Sequence, residues 1–236
     1  MKNDVILITG GSSGYGKATA ELFAKNGAKV IITGRKAETL NPVAQEIGAE
    51  AFVADATNPA DWKRLYDHIM EKYGKLDMLV NNAGGGVAIK EVADITPDEI
   101  DKTITLNLNS ALYGCHTFAP LFIRQKGGTI VNVSSICARE AKPRWATYAA
   151  AKWGVVGLSK GLATELGPHG VRVTCAIPGA GATNFDKNAN FTDRGTVPGF
   201  TGEKFAQVIY DLYRLPRTVW MEEITVWGID QIVIPL

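Results

Sequence analysis

Short runs of β-branched and other apolar residues alternate along the chain with longer segments whose apolar positions recur at helical spacing. The pattern predicts strands near 4–9, 29–33, 50–54, 76–80, 128–133, 171–176 and 223–227. Between them it predicts helices near 14–26, 36–47, 59–73, 97–124, 147–166 and 202–214. This alternation is the sequence form of βαβ units around a parallel sheet. Two helix starts are marked independently of the pattern: Asn58-Pro59 offers a cap followed by proline at the first helical position, and Thr96-Pro97-Asp98-Glu99 is a capping box. Pro42 falls inside the second helix and is expected to kink it, or to start it afresh with Asn41 as cap. One stretch breaks the alternation. Residues 178–201 are rich in Gly, Asn, Thr and Asp with little hydrophobic period, too long for an ordinary connection, and are expected to form a mobile flap over an active site.

The 236 residues fit one α/β domain, 1–236, with the flap inside it. Twenty-five Lys and Arg against 24 Asp and Glu leave a net charge of +1, and 46% of the residues are apolar. That balance excludes disorder and provides no basic field for nucleic acid. No window of about 18 apolar residues exists to span a membrane, and the N-terminus enters Val5-Ile6-Leu7-Ile8 too quickly for a signal peptide. The three cysteines, Cys115, Cys137 and Cys175, lie in apolar or strand-like stretches and read as packing residues in a reducing compartment. A cytoplasmic protein with no metal site is expected. The 25 glycines exceed the roughly 17 of an average chain of this length and suggest close approach of backbone to something.

The clearest such place follows the first strand, where Thr9-Gly10-Gly11-Ser12-Ser13-Gly14-Tyr15-Gly16 leads into an alanine-rich helix. Glycines permit a tight turn and close approach, and a helix N-terminus offers unpaired N–H groups to a pyrophosphate. The spacing TGxxxGxG resembles the short-chain dehydrogenase/reductase family. Further motifs stand in that family's order: Asp55 after the third strand, Asn81-Asn82-Ala83-Gly84 after the fourth, Asn107 in the long fourth helix, Ser135 closing the fifth strand, Tyr148-x-x-x-Lys152 in the fifth helix, and Pro178-Gly179-x-x-x-Thr183. The resemblance covers residues 4–183 with specific motifs. It implies a doubly wound Rossmann fold with seven parallel strands and helices on both faces, and a catalytic set of Asn107, Ser135, Tyr148 and Lys152. The implied cofactor contacts are Gly10, Ser12, Ser13, Gly14, Tyr15, Gly16, Arg35, Asp55, Ala56, Asn82, Ala83, Gly84, Tyr148, Lys152, Pro178, Gly179 and Thr183, with Asp55 beside the adenine.

Carbonyl reduction by hydride needs a proton donor at oxygen, and a tyrosine of ordinary pKa, about 10, is a poor relay near neutrality. Lys152 stands four residues after Tyr148, so both share one helix face and the ammonium favours the phenolate. Ser135 precedes Tyr148 by 13 positions, the separation the family shows, which favours it over Ser134. Its hydroxyl could donate to the substrate oxygen as charge develops. By resemblance Asn107 holds a water that connects Lys152 to solvent. Two departures from the family pattern stand out. Tyr15 replaces a common isoleucine and narrows the pocket or adds a hydroxyl to it, and Ala180-Gly181-Ala182 is smaller and looser than the usual branched residues.

At the end of the second strand an acid would bind the ribose 2′-OH of NAD, whereas an arginine would pair with the 2′-phosphate of NADP. Gly34 stands where NAD-specific relatives carry Asp, and Arg35 follows, so NADP(H) is expected to be preferred with NAD(H) possible. The resemblance implies a small carbonyl or alcohol as substrate, with Cys137, Arg144, Trp145, Asn184 and Phe185 as candidate contacts, together with Gly85 and Phe191. Arg139, Lys142 and Arg144 read either as a solvated loop or as a site that tolerates an anion. Family members pair their fourth and fifth helices across a two-fold axis. Leu106, Leu108, Leu112, Phe118 and Leu121, with Val155, Val156, Leu158 and Leu162, then predict a homo-oligomer, a tetramer or dimer, and the apolar C-terminal residues 232–236 favour one too. The alternative function is a redox-sensing or scaffold protein that binds the dinucleotide without turnover; such relatives lose the tyrosine or the lysine, and both are present here.

Overall fold

A computed structural model describes residues 1–140, 142–181 and 200–229. In chain order the elements are β1 Val5–Thr9, α1 Gly14–Lys25, β2 Lys29–Gly34, α2 Ala37–Ile47, β3 Glu50–Val53, α3 Pro59–Tyr73, β4 Met78–Asn81, α4 Pro97–Ile104, a π-helical turn Thr105–Asn109, α5 Ser110–Gln125, β5 Gly128–Val133, α6 Ala146–Leu166, β6 Val171–Pro178, α7 Gly202–Arg214 and β7 Glu223–Val226. All seven strands pair in parallel in the order β3-β2-β1-β4-β5-β6-β7, the doubly wound Rossmann arrangement.

The inner strands are apolar without alternation because both faces are covered. Ile6 and Ile8 of β1 pack with Phe23 of α1, Leu40 of α2 and Phe205 and Ile209 of α7. Val5 and Leu7 point the other way, into a core shared with Trp62, Leu65 and Ile69 of α3 and Phe118 and Phe122 of α5. All of these side chains are buried, so each β1 residue alone contributes about 1.5–3 kcal/mol of apolar transfer.

Both marked helix starts form as expected. Asn58 Oδ1 accepts from the Ala60 N–H at 3.0 Å. Thr96 and Glu99 exchange side-chain to backbone bonds at 3.2 and 3.0 Å. Two expectations are corrected. The helix Ala37–Ile47 runs through Pro42 from a cap at Lys36 and does not restart at Asn41; the proline costs one intrahelical donor, and the burial of Leu40 and Ala44 on both sides of it holds the helix together. The helix expected over 97–124 is two α-helices separated by the π-helical turn, which inserts one residue into the ladder. The flap boundary also shifts, since Pro178 is the last residue of β6 and the segment expected as flap falls largely on 182–199, outside the described residues. Of the residues expected at a helix-pair interface, Phe118, Leu121, Val155 and Val156 are core, because they face the sheet; Leu112 is exposed. Residues 232–236 lie outside the described residues.

Candidate active site

The strand order reverses between β1 and β4, and the loops that leave the carboxyl ends of the strands there open a cleft of about 470 Å³. One half is built by the glycine loop. Gly10 adopts φ +67, and a Cβ on Gly16 would press on the Gly10 carbonyl and the Asn82 amide, so the loop closes only with glycine at both places. Ser13 caps α1 without a side-chain bond to the helix, which leaves the first-turn N–H groups to a ligand. The loop is stapled to the next one by Thr9, whose Oγ1 accepts the N–H of Asn82 at 3.0 Å and of Ala83 at 2.9 Å. Asn82 returns its amide to the Thr9 carbonyl at 2.8 Å. Sequence reasoning named Asn82 and Ala83 but not Thr9 as a positioning residue.

The far end of this half holds Arg35, exposed at the cleft mouth, with Gly34 and Asp55. Asp55 Oδ1 accepts from the N–H and Oγ1 of Thr57 at 2.9 and 2.8 Å, which fixes the carboxylate beside Ala54 and Ala56. A side chain at position 34 would crowd Leu40 at 3.3 Å and approach Ser12 Oγ at 3.7 Å.

The other half is built on β5 and α6. Tyr148 and Lys152 are 6% and 4% exposed and line the cleft, with Lys152 Nζ 5.7 Å from the Tyr148 ring centre. The ammonium donates to the Val133 carbonyl at 3.0 Å, and burial brings its pKa down to about 8. Ser135 Oγ lies in the cleft and accepts the Cys137 N–H at 3.2 Å. Ser134 also lines the cleft, but its hydroxyl donates to the Lys152 carbonyl at 2.8 Å and the residue is buried, so it helps hold α6. A buried ladder orients the same helix, from Asn81 to Asn132 at 2.8 Å and from Asn132 to Ser159 at 3.0 Å.

Asn107 lies in the π-helical turn, 1% exposed, and its side chain makes three hydrogen bonds to backbone. Oδ1 accepts the Gly85 N–H at 2.9 Å, and Nδ2 donates to the carbonyls of Gly85 at 2.9 Å and Thr103 at 3.0 Å. Asn107 therefore clamps the loop after β4 beside Lys152, with both Nδ2 hydrogens spent on backbone carbonyls and one acceptor site left on Oδ1.

Among the other expected contacts, Gly10, Ser12, Ser13, Gly14, Tyr15, Ala56, Asn82, Ala83, Gly84, Gly85, Cys137, Trp145, Pro178 and Gly179 all line the cleft. Gly16 lies just behind it. Arg144 is not among the cleft-lining residues; it sits with φ +70 in an exposed turn. Thr183, Asn184, Phe185 and Phe191 lie outside the described residues. Leu106, which the helical pattern assigns to an interface, and Lys142 are lining residues. Cys137 is also buried against Trp145 and Tyr148. Cys115 is a packing residue whose thiol is pushed up to about 12 by burial. Among the described residues no helix is long and apolar enough to cross a membrane.

The short chain dehydrogenase family model matches residues 4–194. An uncharacterized oxidoreductase of Listeria monocytogenes is 34% identical, with 98% of each chain covered. Two solved structures superpose closely. A metagenomic short-chain oxidoreductase in complex with NADP is 30% identical with a TM-score of 0.84, covering 96% of this chain and 97% of its own. The 3-ketoacyl-(acyl-carrier-protein) reductase of Brucella melitensis complexed with NADH is 32% identical with a TM-score of 0.89, covering 98% and 99%.

Proposed function

This chain belongs to the short-chain dehydrogenase family of oxidoreductases, and from that membership we propose that it interconverts a small carbonyl compound and its alcohol with Tyr148 as the acid/base. The observation that carries this reading is the meeting of Tyr148, Lys152 and Ser135 at one end of a cleft whose other end is a glycine cradle. The cradle residues fit a dinucleotide: Gly10, Ser12, Ser13 and the α1 N-terminus would take the phosphates, Asp55 and Ala56 the adenine side, and Gly84, Pro178 and Gly179 the nicotinamide side. When bound, that group supplies or accepts the hydride.

The residues of the chain handle the proton. In reduction the Tyr148 hydroxyl gives its proton to the carbonyl oxygen, Ser135 donates to that oxygen as negative charge develops, and the Lys152 ammonium stabilises the phenolate left behind. Asn107 holds the Gly85 backbone, next to Gly84, where a Cβ would meet Lys152 Nζ at 3.2 Å. Tyr148→Phe is expected to bind cofactor with unchanged affinity in a fluorescence titration and to lose at least about a hundredfold in kcat. Retention of most of the rate would remove Tyr148 from the mechanism.

NADP(H) is the preferred cofactor in this reading, because Gly34 carries no acid, Ser12 Oγ stands beside it and Arg35 at the mouth can take a 2′-phosphate in a bidentate fork. Arg35→Ala should lower kcat/KM for NADPH selectively, by about tenfold or more, and equal wild-type values for NADPH and NADH would refute the preference. Three buried free cysteines support a cytoplasmic location, and the exposed apolar residues of α5 and α6 support a homo-oligomer.

A further inference from the structure

Of the three basic residues in the loop before α6, the structure separates the roles. Arg139 is paired with Glu223 and lies over the Trp153 ring at 5.4 Å, away from the cleft lining. Arg144 is the third residue of a turn closed by the Trp145 N–H on the Lys142 carbonyl at 3.2 Å, with Pro143 second. Proline second and φ +70 third is the type II arrangement, which a residue with a side chain adopts only at a cost in strain. Both ends of this strained turn, Lys142 and Trp145, line the cleft.

The charges along the cleft are sorted. Arg35 and Asp55 share the end at β2 and β3, whereas the end at β5 and β6 has Lys142 and Lys152 and, among the described lining residues, no carboxylate. Lys152 is turned to the Val133 carbonyl at 3.0 Å. Lys142 Nζ forms an ion pair with the nearly buried Glu140 carboxylate at 3.9 Å, too long for a hydrogen bond, and its side chain is 41% exposed. Because that pair is no hydrogen bond and Lys142 lines the cleft, its N–H donors can turn to a ligand at the reaction end while Glu140 stays close enough to compete for the charge.

We propose that the substrate carries an anionic group, a carboxylate or phosphate, near its reacting carbonyl, and that Lys142 binds that anion while Cys137 and Trp145 wall the carbon skeleton. The inference rests on the oxidoreductase reading above and adds the class of substrate. A charge-assisted hydrogen bond to the substrate is worth about tenfold or more in kcat/KM over a neutral isostere.

The test compares 2-oxo and 3-oxo acids with their methyl esters, and dihydroxyacetone phosphate with dihydroxyacetone, using NADPH and the full chain. The wild type is expected to favour an anionic member over its neutral partner by about tenfold or more, chiefly through KM. Lys142→Met should bring that ratio toward one, and Lys142→Arg should restore it. Calorimetric titration of the corresponding hydroxy acid gives a second readout without turnover: affinity should fall about tenfold in Lys142→Met and recover in Lys142→Arg. The carboxylate and phosphate arms identify which anion is taken. Equal reduction of acid and ester overturns this inference and leaves the oxidoreductase reading intact, as does a preference that survives Lys142→Met. Absence of reduction in every arm overturns both.

Discussion

Burial takes the Lys152 ammonium from an ordinary pKa of 10.5 to about 8, so the folded chain holds this proton less tightly than the unfolded chain does. At about 1.4 kcal/mol per tenfold, the penalty is about 3 kcal/mol. Its sign follows from linkage: the unfolded state binds more protons between the two values, so stability rises with pH through that window. The penalty is fully present below about pH 8 and relieved near pH 10.5. Lys152→Met removes it at the loss of one bond to the Val133 carbonyl, worth about 1 kcal/mol. The variant should therefore melt a few degrees above the wild type at pH 7, without activity, and the gap should narrow as the pH is raised from 8 toward 10.5; a gap independent of pH in thermal scans would refute the assignment. A second pair was visible in the sequence only as two unrelated departures, Tyr15 and Gly181. In space they are one feature. The Tyr15 ring packs on Phe205 at 4.4 Å and Phe200 at 5.9 Å, and a Cβ on Gly181 would overlap its phenol. Gly181→Ala should weaken cofactor binding in the wild type and be tolerated with Tyr15→Ile. A double-mutant cycle should give a coupling of about 1 kcal/mol or more, and additive effects would show that the packing does not matter.

At the scale of elements, the strands were legible because each is a compact apolar run between turn signals, and the caps because Asn58, Thr96 and Glu99 act through local bonds. The π-helical turn was not legible. Apolar residues continue at helical spacing across 97–125, and one inserted residue only rotates the later face, which a sequence with buried and exposed leucines on several sides does not disclose. Its structural consequence is at Asn107, which the motif identified but whose partners the sequence could not reveal: both polar groups of Gly85, an element away. Asn107→Ala would leave a buried N–H and a buried carbonyl without partners, each costing about 1–3 kcal/mol. Urea denaturation should show a lower midpoint with an unchanged slope, and kcat should fall as the Gly84-Gly85 backbone, which passes Lys152 at Gly84, loses its clamp. A variant as stable as the wild type would mean that water replaces the amide.

For the whole molecule, the question is what covers the outer face of α5 and α6. Sequence pattern marked nine apolar residues for a partner, and most of these are needed by the chain itself, because period alone cannot separate a sheet-facing stripe from an outward one. Leu108 rests on α6 so closely that a Cβ on Gly154 would meet it at 2.8 Å. Leu112 lies one turn further along that helical face and is 43% exposed; Trp153, next to Gly154, is 51% exposed. Both are exposed apolar surface on α5 and α6, Trp153 with Arg139 over one side of its ring, and two such surfaces related by a two-fold axis would bury both. Sedimentation at micromolar concentration is expected to give a dimer or tetramer for the wild type. Leu112→Glu with Trp153→Glu places like charges on either side of that axis and should shift the mass toward the monomer while the far-ultraviolet circular dichroism stays native. A monomeric wild type would refute the partner, and an oligomer unmoved by the double substitution would place its interface on another face.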